Sequence, residues 1–307
     1  MRSVMTSAYL RTSRFRRCDD ESMVRPVGRI TRGTTGVNRL RRADRWICSL
    51  PAARLADALV VDLGFGASAT TTLELFSRLN EVNPTASVLG LEINPERVEL
   101  ARAEFLAALE ADARVLGRDV GAATADGLRE RVRFEVGGFE LATPRKPAVV
   151  RAMNVLRQYD EGEVADVWRQ LCGRLAPGGM LVEGTSNEIG RVASWITLSA
   201  AGPETFTIAL KVDELGTDPM PAPSVVAERL PKALIHRNVP GERIHAALAD
   251  LDAAWEASAG YASFGAAQRW AQTVAGMRSG GWPVLHWRER TRLGELTLPW
   301  SAVSPKQ

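Results

Sequence analysis

The sequence predicts an α/β protein built on an open, doubly wound, mostly parallel seven-stranded sheet with an inserted hairpin/helical lid. Three observations predict it. Short apolar runs, "ALVVDLGFG", "SVLGLEI", "RVRFEV", "PAVVRAM" and "GGMLVEG", alternate with helical stretches. That alternation builds a parallel sheet through right-handed crossovers. The first run ends on Gly64 and Gly66, where glycine permits a tight strand-to-helix turn and close approach of a ligand to the backbone. After residue 189 the rhythm breaks: two strand-like runs flank Gly202-Pro203, and the proline-rich "DPMPAPS" follows as a stiff connector.

Taken in order, residues 23–36 hold turn formers and read as a loop, and "VNRLRRADRWICSL" reads as a short amphipathic helix. "ALVVDLGFG" is apolar on both faces, the pattern of a buried parallel strand. "ATTTLELFSRLNEV" follows as a helix. After "SVLGLEI", Asn94 is a good N-cap and Pro95 suits the first helical position. "EGEVADVWRQLCGRL" is the helix before the fifth strand, which is entered through "APGG". Two or three helices span residues 224–278, and "WPVLHW" and "GELTLPW" read as two edge strands. The expected organisation is a leader over 1–22, a basic arm and helix over 23–57, and a ligand-binding core over 58–189. An insertion or lid follows over 190–260, and residues 261–307 return to the core.

The 307 residues are 45% apolar and 24% charged, ordinary for a globular protein. No apolar run is long enough to cross a membrane, and the first residues lack the hydrophobic stretch of a secretory signal. Cys18, Cys48 and Cys172 have no metal-ligand spacing, so neither a metal site nor a disulfide framework is expected, and the expected compartment is the cytoplasm. Net charge is +3, but residues 1–45 carry twelve Arg against four carboxylates, so this arm holds +8 and the remainder −5. A basic arm binds phosphate groups or nucleic acid, or is simply solvated.

"GFGASA" fits the G-x-G-x-x-A fingerprint of dinucleotide-binding folds, with helix N-terminal amides offered to a ligand. Glu92 lies 26 residues after Gly66, where a carboxylate accepts hydrogen bonds from ribose hydroxyls. Neither feature separates a nicotinamide site from an S-adenosylmethionine site. Asp62 does: a carboxylate so close to the turn suits a cationic ligand better than an anionic diphosphate. Asp62 alternatively ties down the glycine loop through backbone amides, and Glu92 alternatively caps the following helix.

"VVDLGFG", "GLEINPERVELARA" and "LAPGGMLVEG" together resemble, in order and spacing, the Rossmann-like class I S-adenosylmethionine-dependent methyltransferases, over residues 58–185. The resemblance implies a loop of Asp62, Gly64, Gly66 and Ser68 under the methionine part, Glu92 on the ribose, and Ile93 beside the adenine. Gly138 and Phe139 follow the third strand where many members carry a carboxylate, so Phe139 is expected to stack on the ring and Glu140 to replace the missing acceptor. Asn154 ends the fourth strand, in a short likeness to the chemotaxis-receptor methyltransferases.

Methyl transfer needs an in-line nucleophile and a base only where the acceptor must first lose a proton. Tyr159 and His236 are the candidate catalytic residues, with Arg157, Gln158, Glu183, Asn187 and Glu188 at the expected active mouth. The segment "GRITRGTTGVNRLRRADRW" is expected to close over the site, its arginines binding a carboxylate or phosphate on the acceptor. The expected acceptor is a small molecule, with RNA or protein as alternatives and no membrane partner. Two other readings stay open: an NAD(P)-dependent oxidoreductase, and a non-catalytic S-adenosylmethionine-binding protein that contacts nucleic acid through its arginine arm.

Overall fold

The computed structural model describes residues 26–111 and 125–306, so the expected leader over 1–22 lies outside the described residues. Eight strands form one sheet. Five run parallel in the order β3-β2-β1-β4-β5: β1 (Leu59–Leu63), β2 (Ser87–Glu92), β3 (Val132–Val136), β4 (Val149–Met153) and β5 (Met180–Ser186). Beyond β5 the sheet continues antiparallel through β6 (Val192–Ser199), β7 (Gly202–Leu210) and β8 (Glu295–Pro299).

Eight strands replace the expected seven, and the hairpin expected in the lid is β6 and β7 of the main sheet. The reason is packing. Ile196, Leu198, Phe206 and Ile208 enter the core on one face of the sheet, and Ala193, Trp195 and Ala209 enter the core on the other. A hairpin apolar on both faces has to be covered on both. "WPVLHW" does not form a strand: it touches the sheet through the single bridge Leu285–Thr297.

Helices cover both faces. α1 (Arg41–Ser49), α2 (Thr70–Val82), α3 (Pro95–Ala111) and α4 (Ala125–Arg131) lie on one side, and α5 (Glu161–Cys172), α6 (Lys232–Ile235), α7 (Arg243–Ala257) and α8 (Ala266–Ser279) on the other. Two starts follow local sequence chemistry. Asn94 Oδ1 accepts the amides of Glu96 at 2.8 Å and Arg97 at 3.3 Å, capping α3. Asp160 and Glu163 form a reciprocal capping box at the start of α5.

Strand period decides what Asp62 does. Leu59, Val61 and Leu63 face α5, whereas Val60 faces α1 and α2, and Asp62 points the way of Val60. Its register partner on β4 is Arg151. Arg151 Nε donates to Asp62 Oδ1 at 2.9 Å, its Nη2 donates to Asp62 Oδ2, and its Nη1 reaches Asp44 of α1. Arg78 closes the cluster on Asp44 at 2.8 Å. Burial opposes the charge on Arg151, but Asp62 and Asp44 outweigh it and hold its pKa above the ordinary value. This network bolts α1 to β1 and β4, the strands that flank the switch point of the sheet.

Candidate functional site

Open α/β sheets bind ligands where strand order reverses, outside the carboxyl ends of the strands. Here that point lies between β1 and β4. β1 turns into α2 through Gly64 at φ +69° and Gly66 at φ +94°, conformations that favour glycine. A Cβ on Gly66 would come within 3.1 Å of Thr35 and 3.3 Å of the Gly33 carbonyl. So the glycine loop lies directly against the N-terminal arm.

The arm runs along the groove from the β3 end towards α1, and it docks by its main chain. The Val27 carbonyl accepts the Phe139 amide at 2.8 Å, and the Val27 amide donates to Glu140 Oε2 at 2.7 Å. The Arg29 amide donates to the Tyr159 hydroxyl. The Gly33 carbonyl accepts the Ala67 amide at 3.1 Å, and Arg97 donates to the Thr31 carbonyl at 3.0 Å. Gly28 sits where a Cβ would come within 2.8 Å of Ile93 and 3.2 Å of the Tyr159 hydroxyl. Val27, Ile30 and Val37 meanwhile remain exposed.

Between Glu92, Ile93, Gly138, Phe139 and Tyr159 this leaves a cavity of about 10 Å³. That is room for about one water molecule. Glu92 is buried, and its carboxylate accepts the amides of Gly66 at 3.1 Å, Ile93 at 3.0 Å and Asn94 at 3.3 Å, with Arg97 at 3.6 Å. Glu140 spends its carboxylate on Val27 and, at 2.6 Å, on the Gly138 amide. Tyr159 packs tilted against Phe139, and burial raises its phenol pKa.

At the other end of the groove a cavity of about 300 Å³ opens. It is lined by Asp62, Gly64 and Gly66, by Met153, Asn154, Arg157 and Gln158 after β4, by Glu188 after β5, and by Thr31–Thr35, Arg39 and Arg229. Asn154 sits at φ +63° and ties β4 to β5: its amide donates to the Gly184 carbonyl at 2.7 Å, and its Oδ1 accepts the Ser186 amide at 3.0 Å. Burial lowers the pKa of Arg39, and Arg229 and Arg157 add to that against the pull of Glu188.

The structure thus gathers Asp62, Gly64, Gly66, Glu92, Ile93, Gly138, Phe139, Asn154 and Tyr159 along one groove. Ser68 stands apart, with its hydroxyl 2.7 Å from Thr70 Oγ1 at the start of α2. His236 is exposed at the C-cap of α6 and lines neither cavity. Glu183 is buried in β5 with an unpartnered Oε2, and burial pushes its carboxyl up to about 8. Asn187 Oδ1 accepts the Arg191 amide at 2.8 Å, shaping the turn into β6. Arg229 of the segment before α6 was not foreseen, since nothing local to it marks a site.

No protein-family profile and no curated protein matches the chain. Solved structures similar to part of it include an O-methyltransferase family protein from Burkholderia thailandensis, at 19% identity, 48% of this chain, 37% of that chain and TM-score 0.33. A precorrin-6Y C5,15-methyltransferase from Geobacter metallireducens matches at 15% identity, 49% of this chain, 66% of that chain and TM-score 0.31. The cyclopropane synthase MmaA2 from Mycobacterium tuberculosis matches at 16% identity, 48% of this chain, 42% of that chain and TM-score 0.33. The fold described above rests on strand order and register, not on these likenesses.

Proposed function

We propose that the chain is an S-adenosylmethionine-dependent methyltransferase acting on a small molecule. The switch point carries this reading. Gly64 and Gly66, both at positive φ, end β1 beside β4, Glu92 ends the neighbouring β2, and the sheet passes from β5 into an antiparallel strand. A nicotinamide-binding sheet of the usual doubly wound kind continues with a sixth parallel strand.

The lining suits the cofactor in kind. The two glycines leave the backbone bare, Ile93 and Phe139 offer apolar walls, and Glu92 Oε2 keeps acceptor capacity beyond the Gly66 amide. The arm residues 27–33 hold the nucleoside end, so loading requires them to move aside. When bound, the cofactor supplies a methyl group on a sulfonium. The chain's own residues orient the acceptor and exclude water: Asn154 and Gln158 line the larger cavity, and Thr31–Thr35 roof it. His236 has no part in this reading, and Tyr159 serves as a positioning residue for the arm.

Calorimetry on the full chain tests the proposal, with S-adenosylhomocysteine in one titration and reduced nicotinamide nucleotides in another. Binding of the former alone is expected. Binding of the nicotinamide nucleotides alone would overturn it.

A further inference from the structure

The larger cavity is unusual in its charge. Four arginines from three separate stretches of chain line it: Arg32 and Arg39 of the arm, Arg157 after β4, and Arg229 before α6. Among the described residues two carboxylates join them, Asp62 and Glu188. Asp62 is already held by Arg151, which leaves the exposed Glu188 as the carboxylate of the described lining that faces the guanidinium groups, while Glu228 acts on Arg157 from outside the cavity.

The arginines are held mainly by backbone carbonyls, with Glu188 as a partial counter-charge. Buried Arg39 donates to the carbonyls of Asn187 at 3.2 Å, Ser186 at 3.3 Å and Thr34. Arg157 donates to the Glu228 carbonyl at 3.1 Å. Arg32 has no hydrogen-bond or ion-pair partner among the described residues. Arg229 reaches Glu188 only at 3.5 Å. Its backbone is fixed, however: the Arg229 carbonyl accepts the Ser194 hydroxyl at 2.6 Å and the Thr185 hydroxyl, and these two residues are register partners on β6 and β5. Burial depresses the pKa of Arg157, and Arg229 and Arg32 depress it further, against the pull of Glu188 and Glu228. A guanidinium has five donors in a planar fork that matches carboxylate and phosphate, and here several converge with donors to spare.

We infer that this cavity binds an anionic group, a carboxylate or a phosphate, between Arg157, Arg229 and Arg32, and, resting on the methyl-transfer reading, that this group belongs to the acceptor. Glu188 fills the role of that anion while the cavity is empty, and it swings away as the ligand enters. Arg39 adds buried positive charge to the same space. The segment before α6 then contributes to acceptor choice through one residue whose backbone is fixed to the sheet, with no flap needed.

Titrations of the full chain with phenyl phosphate, benzoate and benzamide, without cofactor, test the site. Phenyl phosphate or benzoate should bind at least about tenfold more tightly than neutral benzamide, as charge-assisted bonds require. The tighter of the two anions identifies the group. Arg157→Gln with Arg229→Gln should weaken that anion by about tenfold or more, and exposed Arg32→Gln alone by a smaller factor. Arg292→Gln, outside the cavity, should change nothing, and melting curves check that each variant folds. Equal binding of benzamide, unchanged anion binding in the folded variants, or no anion binding in the millimolar range would each overturn the inference. Anion binding by a chain that ignores S-adenosylhomocysteine would keep the site and defeat the methyl-transfer reading instead.

Discussion

The two ends of the groove are built on opposite principles. At the end proposed for the nucleoside the chain has filled its own cleft: the backbone of residues 27–33 pairs with Phe139, Glu140 and Ala67, and about 10 Å³ remains. At the end proposed for the acceptor about 300 Å³ stays open under four arginines. Four like charges that share one exposed carboxylate resist closing on one another, whereas a backbone strap with matched donors and acceptors closes readily. The same arm serves both ends, contributing main chain to one and Arg32 and Arg39 to the other. Any movement that admits a nucleoside therefore also rearranges the cationic end.

Both ends hang on the Arg151 network, because α1 follows directly from the arm. Removing Arg151 leaves Asp62 buried without a counter-charge and Asp44 with Arg78 alone, a change that costs about 3–5 kcal/mol. Arg151→Leu is expected to lower the melting temperature by about 10 °C, read by differential scanning calorimetry, and to abolish anion and nucleoside binding together. Loss of one binding activity with retention of the other would break the link between the ends.

Glu183 gives a pH test of β5, the strand that leads to Glu188. Its carboxyl has an ordinary value of 4.5 and is pushed up to about 8 by burial. The folded chain therefore keeps a proton that the unfolded chain has released, and stability falls as pH rises from 4.5 towards about 8. Glu183→Gln removes that loss. The variant should match the parent near pH 4.5 and exceed it by a few kcal/mol at about pH 9, measured by urea unfolding. A parallel pair of pH profiles would show that Glu183 is solvated or paired on the time scale of folding.

Glu140 sharpens the comparison from the nucleoside side. Its carboxylate holds the Val27 amide at 2.7 Å, one of the few polar ties of the arm to the β3 end. Glu140→Ala should release residues 27–29 and tighten S-adenosylhomocysteine binding by about tenfold, since about 1.4 kcal/mol of arm docking no longer competes. Phenyl phosphate affinity should be little altered. Weaker S-adenosylhomocysteine binding in the folded variant would mean that Glu140 contacts the ligand itself.

Much of this architecture is legible in the sequence, because it is written in side chains. The glycine turn at Gly64 and Gly66, the Asn94 cap and the five parallel strands follow from local pattern. From sequence β6 and β7 look like part of an insertion, because a strand buried on both faces has the same pattern whether it extends a sheet or folds over it. The partner of Asp62 is invisible locally, since Arg151 lies 89 residues away and only the register brings them together. The docking of the arm is harder still. It is made by the main chain of Val27, Arg29 and Gly33, and a carbonyl or amide has no letter of its own. The basic segment 28–46 points to an arm that carries charge to the groove, but not to a backbone that fills the end proposed for the nucleoside.

Arg29 offers the smallest effect and the finest test of how the arm is held. Its guanidinium pairs with Glu163 at 2.9 Å and lies 4.7 Å from the centre of the Tyr159 ring, yet both members of the ion pair are well exposed. Exposed ion pairs contribute about 0.2–1 kcal/mol, and exposed cation–π contacts about as little. The Arg29 amide, by contrast, keeps its bond to the Tyr159 hydroxyl whatever the side chain. Arg29→Ala should therefore tighten S-adenosylhomocysteine binding only about two- to fivefold, and the gain should shrink in high salt, where the parent has lost most of the pair already. A gain as large as that of Glu140→Ala, unmoved by salt, would mean that side chains rather than backbone hold the strap in the groove.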